Sequence, residues 1–205
     1  DDGSTDNSLR VVQEFVTVNN LENRIKIFTC KNSGQANVRN LGIRESKGEF
    51  VAFLDADDLW SSTKLEIQKK ALDQDLNLIA VVCPYFIFNN ENAFRKLRLV
   101  KQYNFKKVVK HWALFIGFGA GLESNLLIRR DALIDLEMFD ESFTTSAGLD
   151  LAIRINKLGR VGVAQGTNMA YRLSTNQWHK DLSELQKNAS KIFIKHQNDL
   201  PGNSF

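Results

Sequence analysis

The stretch FVAFLDADDLW, residues 50–60, decides the fold of this chain. An apolar run leads into Asp55, Asp57 and Asp58, and the sequence then returns at once to apolar residues. Such a run predicts a buried strand with the acids at its carboxyl end, which is the edge where open α/β sheets bind ligands. Clustered carboxylates repel one another and lose hydration in a cleft, so they need a compensating positive charge or a solvated position.

Short β-rich runs alternate with helical periods along the chain, which predicts an α/β domain with a largely parallel sheet. Strands are predicted at RIKIFTC (24–30), FVAFL (50–54), IAVVC (79–83) and NLLIR (125–129). Helices are predicted within 34–48, where Gly48 is the stop signal, within 61–74, where serines are the caps, and within 177–197.

Composition bounds the class of protein. A chain of 205 residues with 43% hydrophobic content can bury the core of one domain, so 1–205 is predicted to be a single domain. The balance of 27 basic against 24 acidic residues argues against a dedicated nucleic-acid binder. Cys30 and Cys83 lie in apolar runs without metal-ligand spacing, which favours a reduced, cytoplasmic setting with both side chains buried.

Neither the first residues of the chain nor its longest apolar stretch resembles a membrane-targeting or membrane-spanning segment. The chain opens with acids and turn residues rather than a basic and then apolar leader, and its longest apolar stretch, 78–88, is short and interrupted by Pro. We therefore expect a soluble or peripheral protein. The opening DDGSTDNS is a turn signal of the kind that follows a strand, so we expect a first strand, helix and second strand upstream in a longer protein.

The acids after the 50–54 strand can hold a cation. Asp55 and Asp57, one residue apart at a strand end, suit Mg²⁺ or Mn²⁺, which would grip a diphosphate and neutralise its charge as it leaves. In one alternative, Asp58 or Ser61 caps the next helix and the other acids are solvated. In another, the acids serve a haloacid-dehalogenase-type phosphatase, although Leu59 stands where those enzymes have Thr or Val and Asp58 intervenes.

The chain resembles family-2 glycosyltransferases with the GT-A fold in the order of five segments. These are DDGSTDNS (1–8), NSGQANVRNLGIRESKGEFVAFLDADDLW (32–60), NLLIRRDAL (125–133), FDESF (139–143) and GLDLAIRINKLG (148–159). The resemblance extends to about residue 175 and implies inverting transfer of a sugar from a nucleotide-sugar donor, expected to be UDP-linked. It implies a saccharide or lipid-linked acceptor in cell-surface polysaccharide or glycan synthesis, and a missing N-terminal strand–helix–strand.

Four residues of the donor side take roles from the resemblance. Asp2 matches the acid that contacts the nucleotide base, where a carboxylate can accept the ring N–H. Arg39 matches an arginine near the nucleotide, although Val38 replaces the usual alanine. Asp55 matches the acid near the ribose or metal, and Asp57 the acid that ligates the metal. Taken alone, Asp2 is equally a turn residue and Arg39 a solvated helix residue.

The resemblance makes Asp150 the candidate general base. In an inverting transfer the acceptor hydroxyl attacks opposite the leaving diphosphate and must lose its proton, so one carboxylate suffices. Family members commonly have Glu before this Asp, whereas this chain has Leu149. An acid at the start of a helical run also favours the helix dipole, which is the alternative role for Asp150.

Further departures keep a non-catalytic nucleotide-sugar-binding module open as an alternative. Ser174 follows YR where the family often has a metal or diphosphate histidine, a role that Arg172 could take over. The three histidines lack ligand spacing and are expected to be surface or satisfied side chains: His111, His179 and His196.

The sequence also divides the chain into two functional halves. Residues 1–100 are predicted to form the nucleotide-sugar and metal half, and 101–205 the acceptor half with a C-terminal helix. The basic and aromatic stretch 95–115 is predicted to be a solvated helix face with its aromatics in the core. Its alternative role is peripheral contact with an anionic membrane at the inner face.

Overall fold

The computed structural model describes residues 1–89, 98–99, 122–166, 168–173 and 182–198. The helices in these ranges are α1 (Ser8–Val18), α2 (Gln35–Glu45), α3 (Lys64–Gln74), α4 (Leu122–Asn125), α5 (Arg130–Asp135), α6 (Ala147–Leu158) and α7 (Leu182–His196). The strands are β1 (Phe50–Ala52), β2 (Leu59–Trp60), β3 (Leu78–Val82), β4 (Tyr85–Asn89), β5 (Arg98–Leu99), β6 (Leu127–Arg129), β7 (Arg160–Val163) and β8 (Met169–Leu173).

The described strands form two mixed sheets. The first has the order β1-β6-β3-β7, in which β6 runs antiparallel to both neighbours and β3 pairs parallel with β7. The second has the order β2-β8-β4-β5, in which only the pairing of β4 with β8 is parallel. The predicted α/β class is confirmed. The described strands do not form a mostly parallel sheet, because β6 lies between β1 and β3 and runs antiparallel to both.

Alternate residues of the first sheet supply two cores, as the period of a strand requires. Ala80 and Ile128 face one way, into a cluster that also contains side chains of α2, α5, α6 and α7. Val81 and Leu127 face the other way, into a cluster that contains Leu72 of α3. The sheet therefore lies between two helical layers, and its edge at the end of β1 stays available for a site.

Three of the four predicted strands are confirmed with shifted ends. The run 50–54 forms β1 over its first three residues, 79–83 forms β3 one residue earlier, and 125–129 forms β6 over its last three. The strand predicted at 24–30 is wrong for the described structure, since this segment joins no ladder there. The described backbone bonds of this segment are turn and end contacts: Arg24 N and Ile25 N donate to Leu21 O, Asp1 N donates to Phe28 O, and Cys30 N donates to Asp1 O.

The helix predictions are confirmed, but one cap is not. Helices α2 and α3 fall within 34–48 and 61–74, and α7 falls within 177–197, of which 177–181 lie outside the described residues. The residue before α3 is Thr63, which makes no side-chain cap hydrogen bond. The serine cap fails because the Ser61 hydroxyl is engaged elsewhere, 3.1 Å from Asn168 Oδ1.

Several other predictions can be compared with the described ranges. Cys83 is buried, whereas Cys30 is only half-buried, and neither forms a disulfide. No helix in these ranges combines the length and apolar character that crossing a bilayer requires. Most of the 95–115 stretch, together with His111, Ser174 and His179, lies outside the described residues.

Candidate active site

The three aspartates lie in a tight turn at the end of β1. The Asp58 N–H donates to Asp55 O at 3.0 Å, which closes the turn. The Asp55 N–H donates to Ser124 Oγ at 3.0 Å, and the Trp60 indole N–H donates to Ser124 O at 2.7 Å. The turn is therefore fixed from both sides by α4, which directly precedes β6.

Arg39 supplies the positive charge that the aspartates need. One guanidinium nitrogen donates to Asp55 Oδ1 at 2.7 Å and the other to Glu123 Oε1 at 2.8 Å. The Arg39 side chain is 9% exposed, and its guanidinium also lies over the Phe139 ring. Charge-assisted bonds of this kind are strong in a buried setting, and losing one partner leaves a charge unpaired.

The remaining two aspartates face Arg172 and Tyr171 of β8. Arg172 donates its backbone N–H to Asp58 Oδ1 at 3.1 Å and its Nε–H to Asp57 O at 2.7 Å. Burial raises the pKa of Asp58, and the charges of Asp57 and Asp55 act in the same direction. Burial likewise raises the pKa of Tyr171 to about 12, and the three aspartates contribute. The turn therefore carries closely spaced acids, of which Asp55 is ion-paired with Arg39.

Asp2 lies at the start of α2, the helix that carries Arg39. Its carboxylate accepts the Ser33 N–H at 2.6 Å and the Gly34 N–H at 2.9 Å. Gly3 has a φ of 83°, and a Cβ there would lie 3.2 Å from Asn32 N, so the turn needs glycine at this position. The structure thus connects Asp2, Arg39 and Asp55 through one helix.

Glu123 is a member of this group that the sequence did not indicate. Its side chain is 10% exposed and meets Arg39 on the side opposite Asp55. Burial raises the pKa of the Glu123 carboxyl, which the Arg39 charge opposes and the Asp55 charge reinforces. In the sequence, Glu123 is an acid shortly before the apolar strand β6. It indicates a site only once β6 is known to run antiparallel to β1, because that direction places the start of β6 beside the end of β1.

Asp150 has a different set of neighbours, on α6 itself and on α7. Its Oδ2 accepts the Arg154 Nε–H at 2.7 Å, while its Oδ1 lies 2.8 Å from both Lys195 Nζ and His196 Nε2. The side chain is fully buried. Burial would raise the pKa of Asp150, but the bonds from Lys195 and His196 and the charge of Arg154 together hold it below its usual value.

A comparison with protein families identifies the chain. Residues 1–137 match the family model described as Glycosyl transferase family 2. The chain belongs to this family. Family membership confirms the resemblance read from the five sequence segments, and it counts against the phosphatase alternative.

Curated relatives of this family 2 chain are much longer than the matched region. WfgD of Escherichia coli, named UDP-Glc:alpha-D-GlcNAc-diphosphoundecaprenol beta-1,3-glucosyltransferase, is 33% identical over 112 residues, which is 54% of this chain and 42% of WfgD. The cholesterol galactosyltransferase of Borreliella burgdorferi is 36% identical over 96 residues, 47% of this chain and 26% of that protein. The chain spans less than half the length of these relatives.

Solved structures show that the family 2 chain has the GT-A fold. The mannosyltransferase PcManGT from Pyrobaculum calidifontis, solved with GDP-Man and Mn²⁺, superposes with a TM-score of 0.69 at 18% identity, covering 100% of this chain and 55% of PcManGT. TarS of S. aureus gives a TM-score of 0.67 at 21% identity, covering 97% of this chain and 33% of TarS.

The acid turn of this family 2 domain fits a divalent cation. Among the described residues, no three His, Cys, Asp or Glu side chains form a closed metal cage. Mg²⁺ commonly takes only one or two carboxylates and completes its shell with phosphate oxygens and water. Asp55 and Asp57 offer such a partial set, and the buried Asp58 Oδ2 has no hydrogen-bond partner in the described part of the chain. These oxygen donors suit a hard cation.

The predicted site residues therefore fall into two groups. Asp2 bonds the backbone of Gly34, just before α2, and Arg39 of α2 bonds Asp55. Asp57 lies in the same turn as Asp55. Asp150 belongs to a separate buried network between α6 and α7. Among the histidines, only His196 lies within the described ranges, and it is a buried, hydrogen-bonded side chain.

Proposed function

We propose that this domain transfers a sugar from a UDP-linked donor to an acceptor hydroxyl, with inversion at the anomeric carbon and with Mn²⁺ or Mg²⁺. The observation that carries the proposal is the Arg39 bridge to Asp55 at the end of β1, beside Asp57. The buried Arg39 guanidinium, held next to the carboxylates of the acid turn, suits a diphosphate that arrives with a divalent metal. Oriented positive charge at a leaving diphosphate is an effective way to lower the barrier of such a transfer.

The residues have distinct roles in this proposal. Asp57 would hold the metal with help from Asp55, and a cation bound there would supply positive charge for the departing diphosphate. Arg39 contacts the nucleotide diphosphate, and Asp2 contacts the base. Both Asp2 oxygens already accept backbone N–H groups, which holds the carboxylate in one orientation. A carboxylate held in this way has remaining lone pairs for a uracil N–H.

The relatives support the donor and acceptor classes. WfgD is named for a UDP-glucose donor and a diphosphoundecaprenol-linked acceptor, and PcManGT was solved with GDP-Man. We therefore extend the proposal to a saccharide or lipid-linked acceptor in cell-surface glycan synthesis, reached by a cytoplasmic domain at the inner face of the membrane. TarS was also solved with UDP-GlcNAc, which agrees with a UDP-linked donor.

One observation favours the second candidate, a non-catalytic nucleotide-sugar-binding module. Asp150 is the base expected from the sequence, yet both of its oxygens are engaged by cationic or ring N–H groups and its side chain has no exposed surface. The base role of Asp150 stays a prediction. A binding module would keep the donor contacts described above and lack turnover.

The proposal is tested by Asp57→Asn in the full-length protein. Isothermal titration with UDP, with and without Mn²⁺, measures the metal-dependent part of the affinity. We expect Mn²⁺ to strengthen UDP binding to the wild type and the variant to lose at least about tenfold in the presence of Mn²⁺, about 1.4 kcal/mol. The lost affinity reflects removal of one metal ligand.

Asp73→Asn is the matched control, because Asp73 is a half-exposed acid on α3 whose ion pair, within the described part of the chain, is with Lys69. Unchanged Mn²⁺-dependent UDP binding by Asp57→Asn would contradict the metal role. UDP release from UDP-glucose by the wild type then separates the two candidate functions. Tight binding without any release would favour the binding module.

A further inference from the structure

We propose that Glu123, and not Asp150, is the carboxylate that removes the proton from the acceptor hydroxyl. The inference deepens the proposed glycosyl transfer and rests on it. Glu123 is the carboxylate that shares Arg39 with Asp55, so a single guanidinium separates it from the acid turn at the end of β1. A base for a one-step displacement must lie close to the donor, on the side from which the acceptor arrives.

Gly148 gives Glu123 its position. A Cβ at residue 148 would fall well inside van der Waals contact with Glu123 Oε1, so the carboxylate occupies space that any other residue would fill. Gly148 lies in the first turn of α6, where glycine is less favourable than alanine. The glycine therefore has a steric function in this structure: it lets a carboxylate from α4 sit beside the start of α6.

The backbone around Glu123 is firmly held. Ser124 and Asn125, which follow it, are buried, and Asn125 Oδ1 accepts the Cys83 N–H at 2.7 Å. Gln68 donates to Asn125 O at 2.7 Å, and the Ser124 bonds to the Asp55 and Trp60 N–H groups complete the anchoring. A preorganised carboxylate of this kind meets the geometric demand on a general base.

Asp150 meets that demand poorly. Its two oxygens are bonded to Arg154, Lys195 and His196, and the ion pairs hold its pKa low, which makes it a weak base. The pKa of Glu123 is instead raised by burial, which makes its ionised form the stronger proton acceptor. Asp150 is better placed to fasten α7 onto α6.

Donor binding would free Glu123 for this task. A diphosphate that competes for Arg39 takes up the guanidinium nitrogen that now bonds Glu123 Oε1. The acceptor oxygen then forms its bond to the anomeric carbon while the bond from that carbon to the diphosphate oxygen breaks. The electron pair of the broken bond leaves with the nucleoside diphosphate, and the hydroxyl proton passes to Glu123.

The test measures UDP release from UDP-glucose and UDP-N-acetylglucosamine, with Mn²⁺ and with water as the acceptor, in the full-length protein. Glu123→Gln keeps a hydrogen-bond acceptor for Arg39 but cannot take up the proton. We expect kcat to fall by about 10²–10⁴-fold, while the Kd for UDP measured by calorimetry stays at or below the wild-type value, because the neutral amide competes less for Arg39. Residual turnover should also lose the acid limb of the wild-type pH profile.

Gly148→Ala provides a second variant that does not alter the acid itself. The new Cβ must displace the buried Glu123 carboxylate, so kcat and the melting temperature should both fall, and kcat is measured at a temperature at which far-UV circular dichroism shows the variant to be folded. Gly42→Ala is the matched control, since it makes the same change in α2 with no atom within 4 Å of the new Cβ. Its kcat should equal that of the wild type.

Three results would count against the inference. Wild-type kcat in Glu123→Gln would overturn the base role of Glu123 and leave the proposed transfer intact. Loss of turnover in Asp150→Asn, with turnover kept in Glu123→Gln, would return the role to Asp150. A wild type that binds UDP but releases none from either donor would contradict the proposed transfer itself, and the inference with it.

Discussion

At the scale of single residues, this site is organised by charge balance. Arg39 neutralises Asp55 and Glu123 together, and the backbone N–H of Arg172 satisfies one oxygen of Asp58. Asp57 contributes its carbonyl to Arg172 and keeps its side chain for another partner. The carboxylates of Asp55 and Asp58 therefore have different partners, which lessens the repulsion among the closely spaced aspartates.

Lys64 is a second residue whose environment sets its charge. Its side chain is fully buried, donates to Gln68 Oε1 at 2.7 Å and lies over the Trp60 ring at 4.1 Å. Burial lowers the pKa of Lys64 to about 8, with a small opposing effect of Cys83. The unfolded chain keeps the ordinary value near 10.5, so the folded form holds its proton less tightly.

The resulting prediction concerns the pH dependence of stability. Below about pH 8 Lys64 is protonated in both states, and the folded state bears the full cost of a buried charge. Between about pH 8 and 10.5 the unfolded state binds more protons, so the free energy of unfolding should rise with pH, by up to about 3 kcal/mol. Urea unfolding of the wild type and Lys64→Met at pH 7 to 10 measures this contribution as the difference between the two curves.

Lys69→Met is the control for this series, because Lys69 is a half-exposed lysine on the same helix. Its stability should follow the wild type at every pH. Parallel curves for the wild type and Lys64→Met would show that the Lys64 pKa is not lowered by folding.

At the scale of elements, α6 contacts three other elements of the domain, α4, α7 and β3. Its first turn makes room for Glu123 of α4 and is also ion-paired through Asp150 to Lys195 of α7. Its end at Gly159 packs against β3, where a Cβ would lie 2.9 Å from Ile79 Cγ2.

Packing at that end yields a prediction for a pair of glycines. Gly159→Ala should destabilise the protein by about 1–3 kcal/mol, because the methyl group overpacks the contact with Ile79. Gly42→Ala, exposed on α2 with open space around it, should stabilise the protein by about 1 kcal/mol. Urea unfolding at pH 7 measures both. Equal effects of the two substitutions would show that Ile79 yields freely.

At the scale of the whole molecule, the two predicted halves are interleaved. Strand β6, from the second half, pairs with β1 and β3 from the first half, and β7 and β8 pair with β3, β2 and β4. Neither half can complete its sheet alone, because every backbone group of a strand needs a partner. The division into a donor half and an acceptor half is therefore one of function, and it stays a prediction.

This arrangement predicts one cooperative unfolding transition. Far-UV circular dichroism and tryptophan fluorescence should report the same urea midpoint and the same slope, as expected for a two-state domain. Two separated midpoints would contradict the prediction that 1–205 is a single domain.

The sequence by itself determined three strands, three helices, the position of the acid turn and the family. These features depend on local periodicity and on motifs of contiguous residues such as DDGS and FVAFLDADDLW. It also predicted Asp2, Arg39 and Asp55 as one site, which stays a prediction: Arg39 bonds Asp55, and Asp2 bonds the backbone of Gly34 just before the helix that carries Arg39. The strand predicted at 24–30 failed because propensity does not supply a pairing partner.

Only the tertiary structure decided which distant carboxylates lie beside that turn. The antiparallel insertion of β6 brings Glu123 to Arg39, and the packing of α7 on α6 encloses Asp150 with Lys195 and His196. Strand direction and helix docking follow from hydrogen bonds and burial between residues far apart in the chain. The sequence pattern does not contain those contacts. It showed which acids are present but not which of them lies beside Arg39.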